Sequence, residues 1–229
     1  MENLNGIFFI PPIEGNAIGH IMEEVYKTGL FEPFIPKKKE GTVVVDCGAN
    51  IGILSYYFSS RFDKIYAIEP AKEHMDVLKH MLEYNKITNV TPFQFALSMY
   101  DKKNENFYHY TNKTMYSLYG ELDKSPTATG DLRQTEIEKV ELKRLDTFFK
   151  EQNIEHVDLL KMDIEGVEFE VLCGDSFTNV ADKIDTVVCE VHQYGGRNPN
   201  QILDALRLRG FEVSIIPHDA TLVIGQKKK

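Results

Sequence analysis

Ionisable side chains follow two apolar runs in the second half of the sequence. Asp163 and Glu165 come directly after the first run, which also contains Lys161. Glu190 and His192 end the second run and share a face if both are still in an extended strand. Histidine titrates near neutral pH and can take a proton from a hydroxyl group. His192 is therefore the first candidate general base, ahead of Asp163 and Glu165.

A lysine among carboxylates at the end of a buried strand costs free energy unless these groups are paired or used by a ligand. In one alternative to catalysis, Lys161 only neutralises Asp163, and Glu168 stabilises the following helix through the helix dipole. In a second alternative, which is not favoured, four side chains hold a magnesium or calcium ion that lowers the pKa of an acceptor hydroxyl group. Its ligands would be Asp163, Glu165, Glu190 and His192. A third interpretation of His192 is an ordinary hydrogen-bonded surface residue.

A glycine-containing loop follows an earlier apolar run and precedes a predicted helix. Gly48 and Gly52 allow the backbone to turn tightly and to approach a ligand, and Asp46 offers a carboxylate to a ligand amine or ordered water. The loop lacks the lysine and hydroxyl residue of a P-loop, and its Gly-x-Asn-x-Gly spacing, with Asn50 at the centre, differs from the dinucleotide-binding motif. Asp46 would repel a pyrophosphate but not the amine or sulfonium of S-adenosylmethionine (SAM). A tightly packed turn without a ligand is the alternative.

Two further positions agree with a nucleoside-containing ligand. Glu69 follows the second apolar run about 20 residues beyond the loop, where a carboxylate binds ribose hydroxyl groups in such folds. The third run is predicted to extend from Val90 to Phe95 and to lead into Ala96, where an apolar strand edge would suit a purine ring. A solvated surface glutamate is the alternative for Glu69.

Strand-like apolar runs alternate with helical patterns from Thr42 to Leu208. This alternation predicts an α/β fold with a doubly wound, mostly parallel, seven-stranded sheet, which is Rossmann-like and typical of class I methyltransferases. The last two runs, Phe211–Ile216 and Thr221–Ile224, are joined by so short a connection that they must pair antiparallel, with an antiparallel C-terminal strand as the result. Residues 98–139 are polar and interrupt the alternation. We interpret them as an insertion near the substrate pocket or as a surface excursion.

The start of the chain adds one more predicted element. Apolar residues between Ile18 and Tyr26 recur at helical spacing, and Gly29 follows as a C-cap, which predicts an N-terminal helix. We therefore divide the chain into an N-terminal helical lid segment, residues 1–41, and a catalytic domain, residues 42–229.

At these motifs the sequence resembles the FkbM family of SAM-dependent methyltransferases, most of which methylate oxygen atoms of sugars, polyketides and similar metabolites. The most family-specific block is the Asp-Ile-Glu-Gly-x-Glu sequence that begins at Asp163. The resemblance covers most of the chain and also rests on residues 29–33, 45–52, 67–70 and 145–146. The polar stretch after residue 98 matches no pattern of this family, and acceptor specificity would be determined there.

The resemblance implies that SAM is bound and that its methyl group is transferred to a hydroxyl group of a sugar or another small-molecule acceptor. It implies that Asp163 faces the methyl-transfer region and that Glu32 belongs to a lid over the cofactor. The other implied SAM contacts are Asp46, Gly48, Asn50, Gly52 and Glu69. In this scheme Lys161 holds the carboxylates in place while His192 accepts the proton.

The composition favours a cytoplasmic enzyme that acts on a small molecule. The 229 residues carry a formal net charge of -9, so we expect no positive surface of the kind that binds nucleic acids. The 3 cysteines form no CxxC pair, which fits a reducing compartment. We expect no signal peptide and no membrane span. A nucleic-acid methyltransferase and a SAM-binding module without catalysis are the alternative functions.

Overall fold

The computed structural model describes residues 28–111, 116–120, 133–193, 197–216 and 219–228. The predicted N-terminal helix, residues 18–26, lies outside the described residues, as does most of the predicted lid segment. In the described part of the chain, no helix is long and apolar enough to span a membrane.

The described residues form ten strands, numbered along the chain. They are β1 (Val43–Cys47), β2 (Lys64–Ile68), β3 (Val90–Phe93), β4 (Ala96–Leu97), β5 (Lys102–Tyr110), β6 (Gln134–Lys143), β7 (Val157–Met162), β8 (Ile184–Glu190), β9 (Phe211–Ile216) and β10 (Asp219–Lys227). Seven of them form the main sheet in the order β3-β2-β1-β7-β8-β10-β9. The pairs β1–β2, β2–β3, β1–β7 and β7–β8 are parallel, whereas β10 runs antiparallel to both β8 and β9. The predicted mostly parallel sheet with an antiparallel C-terminal strand is confirmed.

Helices connect these strands. Among the described residues the α-helices are α1 (Ile53–Ser59), α2 (Lys72–Tyr84), α3 (Leu145–Glu151), α4 (Glu168–Leu172), α5 (Asp175–Thr178) and α6 (Pro199–Leu208). The same part of the chain also contains short 3-10 helices at Glu32–Phe34 and Ala181–Lys183.

Buried side chains form a hydrophobic core on each face of the main sheet. Val44 packs into the core that contains Phe58 of α1, and the next residue, Val45, packs into the core that contains Phe148 of α3. Successive residues of a strand point to opposite faces, so a sheet with both faces covered needs apolar residues at consecutive positions. This explains why the strands are visible in the sequence as continuous apolar runs.

A second sheet, of three strands, is built mainly from the polar stretch that interrupts the alternation. β5 and β6 pair antiparallel, and the short β4 runs parallel to β6, with Ala96 opposite Leu142. The prediction that the third strand extends to Phe95 is wrong, because β3 ends at Phe93 and Ala96 belongs to this second sheet. The physical reason is the partner strand: Phe93 pairs with Ile68, the last residue of β2, so β3 has no partner further on.

Candidate active site

The predicted functional residues gather at the carboxyl-terminal edge of the main sheet. The amides of Gly48 and Ala49 donate to the carbonyl oxygen of Ile68, at 3.0 and 2.9 Å. The amide of Asp163 donates to the carbonyl oxygen of Cys47 at 3.1 Å. The loops that follow β1, β2 and β7 are therefore adjacent, at the edge where open α/β sheets bind ligands.

The loop between β1 and α1 turns through left-handed backbone conformations. The φ angle is +76° at Gly48, +50° at Asn50 and +90° at Gly52. A Cβ atom on Gly48 would lie 1.7 Å from the carbonyl oxygen of Asp163, and one on Gly52 would lie 2.7 Å from Cε of Met81. Both glycines are thus required by contacts between the loop and neighbouring parts of the protein, in addition to the turn itself.

Asp46 and Lys161 form a buried pair beneath this loop. The Asp46 carboxylate is fully buried, accepts a hydrogen bond from the Ser55 hydroxyl at 2.6 Å and lies 3.4 Å from Nζ of Lys161. Nζ of Lys161 also donates to the Gly48 carbonyl oxygen at 2.8 Å and lies 3.8 Å from Asp163. Asp46 therefore has no surface for the ligand contact expected from the sequence, whereas Lys161 does lie among the carboxylates and holds the loop.

The charges of this pair depend on each other. Burial raises the pKa of Asp46, and the neighbouring Lys161 opposes that increase. Burial alone would lower the pKa of Lys161, but Asp46 and Asp163 outweigh burial and raise it. Each charge is thus retained in the interior because the opposite charge is present.

Glu69 connects the glycine loop to α2. Its Oε2 accepts the amide of Asn50 and its Oε1 accepts the amide of Ala71, both at 2.9 Å. Nδ1 of His74 lies 3.4 Å from Oε1. An ionised carboxylate offers roughly four acceptor positions, so Glu69 has capacity for ribose hydroxyl groups in addition to these bonds.

Ala96 and Glu32 occupy positions that the sequence analysis did not expect. Ala96 is buried with Ala71 and Tyr116 in a small apolar cluster beside the second sheet. Glu32 begins a 3-10 helix and accepts a hydrogen bond from the hydroxyl of Tyr57 in α1 at 2.6 Å. Glu32 thus lies against α1, and its role in a lid stays a prediction.

The loop after β7 is organised around the buried carboxylate of Glu168. One oxygen, Oε1, accepts the amides of Ile164 and Gly166, both at 3.1 Å. The same oxygen lies 2.9 Å from Nδ1 of His192. Glu168 therefore folds the loop that precedes it and orients the imidazole ring, so its role is larger than the stabilisation of a helix dipole.

The other ring nitrogen of His192 faces two further carboxylates. Nε2 lies 3.4 Å from Glu165 and 3.9 Å from Asp163. One donor atom from each of these three residues falls within 4.8 Å of the others, a geometry that is also compatible with a cation. Glu190 ends β8 two residues before His192. The structure thus brings Asp163, Glu165 and His192 together as the sequence analysis expected.

The carboxylates determine the protonation of His192. Burial alone would lower the pKa of His192, but Glu165 and Glu168 outweigh burial and raise it well above its usual value. Burial raises the pKa of Glu165 to about 8, against the opposing charge of His192. His192 therefore holds its proton at neutral pH, and Glu165 becomes a proton acceptor near and above pH 8.

Two residues that the sequence analysis did not single out hold the same loop from outside, and a third contacts one of them. The hydroxyl of Ser117 donates to the carbonyl oxygen of Glu165 at 2.6 Å. The guanidinium of Arg197 donates to the carbonyl oxygen of Gly166 and contacts the hydroxyl of Tyr119, both at 2.9 Å. A serine and a tyrosine in a polar stretch carry no periodic signal, and the charge of Arg197 alone does not reveal its partner.

This geometry agrees with the comparison with known protein families. The sequence matches the methyltransferase FkbM domain over residues 46–213. The chain belongs to the FkbM methyltransferase family. The resemblance predicted from the sequence motifs is confirmed, and membership of this family supports a methyltransferase function.

Curated relatives include two fungal methyltransferases and part of a large bacterial synthetase. Methyltransferase sdnD from Sordaria araneosa is 34% identical over 193 residues, which cover 75% of this chain and 74% of that protein. Methyltransferase 1 from Beauveria bassiana is 26% identical over 164 residues, or 66% of each chain. The AMB antimetabolite synthetase AmbE from Pseudomonas aeruginosa is 30% identical over 208 residues, which cover 76% of this chain. The chain spans only 10% of AmbE.

Solved structures confirm the class I methyltransferase fold. Methyltransferase FkbM from Methylobacillus flagellatus aligns with a TM-score of 0.53 and 15% identity, over 88% of this chain and 46% of that one. SMU.1697c from Streptococcus mutans, determined in complex with S-adenosylhomocysteine (SAH), aligns with a TM-score of 0.51 and 12% identity, over 88% and 97% of the two chains. At these identities the likeness concerns the fold alone.

Proposed function

We propose that the protein is a SAM-dependent O-methyltransferase that acts on a hydroxyl group of a sugar or another small metabolite. The observation that carries this proposal is the contact between the two halves of the site: the glycine loop touches Asp163 at the position of Gly48. The loop that would hold the cofactor therefore adjoins the cluster of Asp163, Glu165 and His192. The net charge of -9 favours a small acceptor over a nucleic acid.

The cofactor site in this proposal consists of the glycine loop and Glu69. SMU.1697c, which has a similar fold, was determined in complex with SAH, and this supports a SAM-related ligand for the chain. Glu69 would accept hydrogen bonds from ribose hydroxyl groups while it holds Asn50 in place. Asp46 and Lys161 would support the loop from below without touching the ligand.

Replacing Glu69 with alanine is expected to weaken the binding of SAM and SAH by roughly ten- to a hundredfold. A hydrogen bond to a charged group contributes about 1.5–3 kcal/mol, and the variant also loses the carboxylate that fixes the loop. Titration calorimetry of the wild type and Glu69→Ala with both ligands measures the effect.

Glu138→Ala is the matched control for Glu69→Ala. Glu138 also accepts an amide at the start of α2, that of Lys72 at 3.2 Å, but it lies in β6 of the second sheet. The control should bind SAM like the wild type. Absence of binding to the folded wild-type protein would overturn the proposal, and equal weakening in both variants would overturn the role of Glu69.

Proton removal from the acceptor is the task of Glu165 in this proposal. Bound SAM would supply the methyl group from its sulfonium, and the acceptor oxygen must lose a proton when it takes that group. Because His192 holds its own proton, we assign the acceptor's proton to the ionised form of Glu165, which forms near and above pH 8, with Glu168 orienting the imidazole beside it. A base whose pKa lies near the working pH is effective in such a step.

Methyl transfer is expected to rise with pH and to level off above about pH 8, because Glu165 accepts a proton only when it is ionised. The Glu165→Gln variant should lose this rise and be slowed by roughly a hundredfold or more. Asp185→Asn is the matched control, because Asp185 lies at the start of β8 and Glu190 at its end. This variant should keep the wild-type pH profile. The measurement is the pH dependence of kcat/KM with any acceptor that a screen of sugar and metabolite hydroxyl groups identifies.

The same assay tests the alternative in which a magnesium or calcium ion is held by Asp163, Glu165, Glu190 and His192. Loss of activity on treatment with a chelator, with recovery when magnesium is added, would contradict the proposed base and support a metal site. Activity that persists in the chelator and follows the predicted pH profile would support Glu165.

A further inference from the structure

The backbone of Glu165 is held in an unusual conformation. Its φ angle is +53°, in the left-handed region that residues other than glycine seldom adopt. Such conformations persist only when surrounding contacts impose them, and they concentrate at functional sites. One contact that holds this turn comes from inside the Asp-Ile-Glu-Gly-x-Glu block, where Glu168 accepts the amide of Gly166 at 3.1 Å, and further contacts come from parts of the chain outside the block.

Ser117 makes the contact nearest to this conformation. It is fully buried, and its hydroxyl donates to the carbonyl oxygen of Glu165 at 2.6 Å. The hydroxyl also accepts the amide of Tyr119 at 3.1 Å. The backbone of Ser117 pairs with Tyr108 of β5 through two hydrogen bonds of 2.8 and 3.1 Å. The hydroxyl therefore has a fixed position set by the second sheet.

Arg197 holds the next peptide group. It donates to the carbonyl oxygen of Gly166 at 2.9 Å and forms an ion pair with Glu170 of α4. Two consecutive carbonyl groups of the loop are thus bound from outside, while Glu168 binds its amides from inside. Of these contacts, the one from Ser117 is made to an atom of Glu165, its carbonyl oxygen, while Glu168 accepts the amide of Gly166 at the other side of the same peptide group.

We propose that Ser117 is a positioning residue, which fixes the backbone of Glu165 so that its carboxylate faces His192. Through Ser117 the second sheet sets the geometry of the proposed base, so the polar stretch would influence the rate of the reaction as well as the choice of acceptor. This inference rests on the proposed function for its catalytic consequence, but its structural content can be tested without any acceptor.

The test compares Ser117→Ala with Ser176→Ala. Ser176 is also a buried serine, and its hydroxyl donates to Asp146 of α3 at 3.2 Å, but it lies in α5, away from Glu165. Among the described residues, the carboxylates that face His192 include those of Asp163, Glu165 and Glu168. If Ser117→Ala lets the carboxylate of Glu165 move away, the imidazole of His192 should titrate at a lower pH than in the wild type.

NMR titration of the His192 imidazole in each folded variant measures this shift. A lower titration midpoint in Ser117→Ala, with Ser176→Ala unchanged and SAM binding retained by calorimetry, supports the proposal. An unshifted midpoint in Ser117→Ala overturns it. Failure of the proposed function is a different result, because it would be an absence of SAM binding or methyl transfer in the wild type.

Kinetics give a second measurement once an acceptor is known. Ser117→Ala should lower kcat by roughly a hundredfold, as a small misplacement of a catalytic group does, with little change in KM for SAM. In the Glu165→Gln background the same substitution should have almost no effect, because the residue on which it acts has been removed. Equal losses in both backgrounds would overturn the proposal.

Discussion

Replacing Lys161 with methionine is expected to lower the free energy of unfolding by about 3–5 kcal/mol. The substitution keeps most of the side-chain volume but leaves the fully buried carboxylate of Asp46 without its cationic partner. It also removes the hydrogen bond that Lys161 donates to the Gly48 carbonyl oxygen. Urea denaturation followed by circular dichroism measures the loss, which should appear as a lower midpoint with an unchanged slope.

A double variant separates the buried charge from the other contacts of Lys161. Asp46→Asn keeps an oxygen that can accept the Ser55 hydroxyl, but it removes the negative charge. The combined Asp46→Asn, Lys161→Met protein has no charge of this pair in its interior. Its decrease in the free energy of unfolding should therefore be smaller than the sum of the decreases in the two single variants. Additive losses would show that the two charges do not stabilise each other.

The layered fold could be predicted because both faces of its main sheet are covered. β1 and β7 have apolar side chains at consecutive positions, as in Val43–Val45 and Leu159–Leu160, and such runs stand out from the helical patterns between them. The short connection between β9 and β10 determined their antiparallel pairing. These features depend on local sequence, which is why the prediction from a single chain was successful.

The second sheet could not be predicted, because the long strands β5 and β6 are exposed and polar over much of their length. Strands of this kind show little apolar alternation along their length. The short strand β4 is defined only by its pairing with β6, more than forty residues away along the chain. Pairing over such a distance is a property of the folded molecule and has no local signal.

The candidate site was predicted in its residue types but not in its internal arrangement. The position of Asp46 at a strand end suggested an accessible carboxylate, yet β7 places Lys161 directly beside it and the glycine loop covers both. Sequence alone does not reveal which strands are neighbours. The contact between Ser117 and Glu165 joins residues 48 positions apart and was missed for the same reason.

Replacing Gly48 with alanine is expected to displace the loop after β7 and to abolish measurable SAM binding. The new Cβ atom would lie 1.7 Å from the carbonyl oxygen of Asp163, a backbone atom that can move only together with its loop. That loop carries Glu165, so the proposed base would move as well. Calorimetry with SAM and thermal unfolding together measure the change.

Gly41→Ala is the matched control, because it separates backbone strain from this collision. Gly41 has nearly the same φ angle, +74° against +76° at Gly48, but a Cβ atom there would meet nothing within 4 Å. Gly41→Ala should therefore lower the free energy of unfolding by only about 1–2 kcal/mol, because alanine disfavours the left-handed conformation. This variant should bind SAM normally. Gly52→Ala should be intermediate, since its Cβ atom would meet Cε of Met81, the end of a flexible side chain. If Gly48→Ala weakened SAM binding and lowered thermal stability no more than Gly41→Ala, the prediction would be contradicted. The close contact between the glycine loop and Asp163 would then not connect the cofactor site to the proposed base.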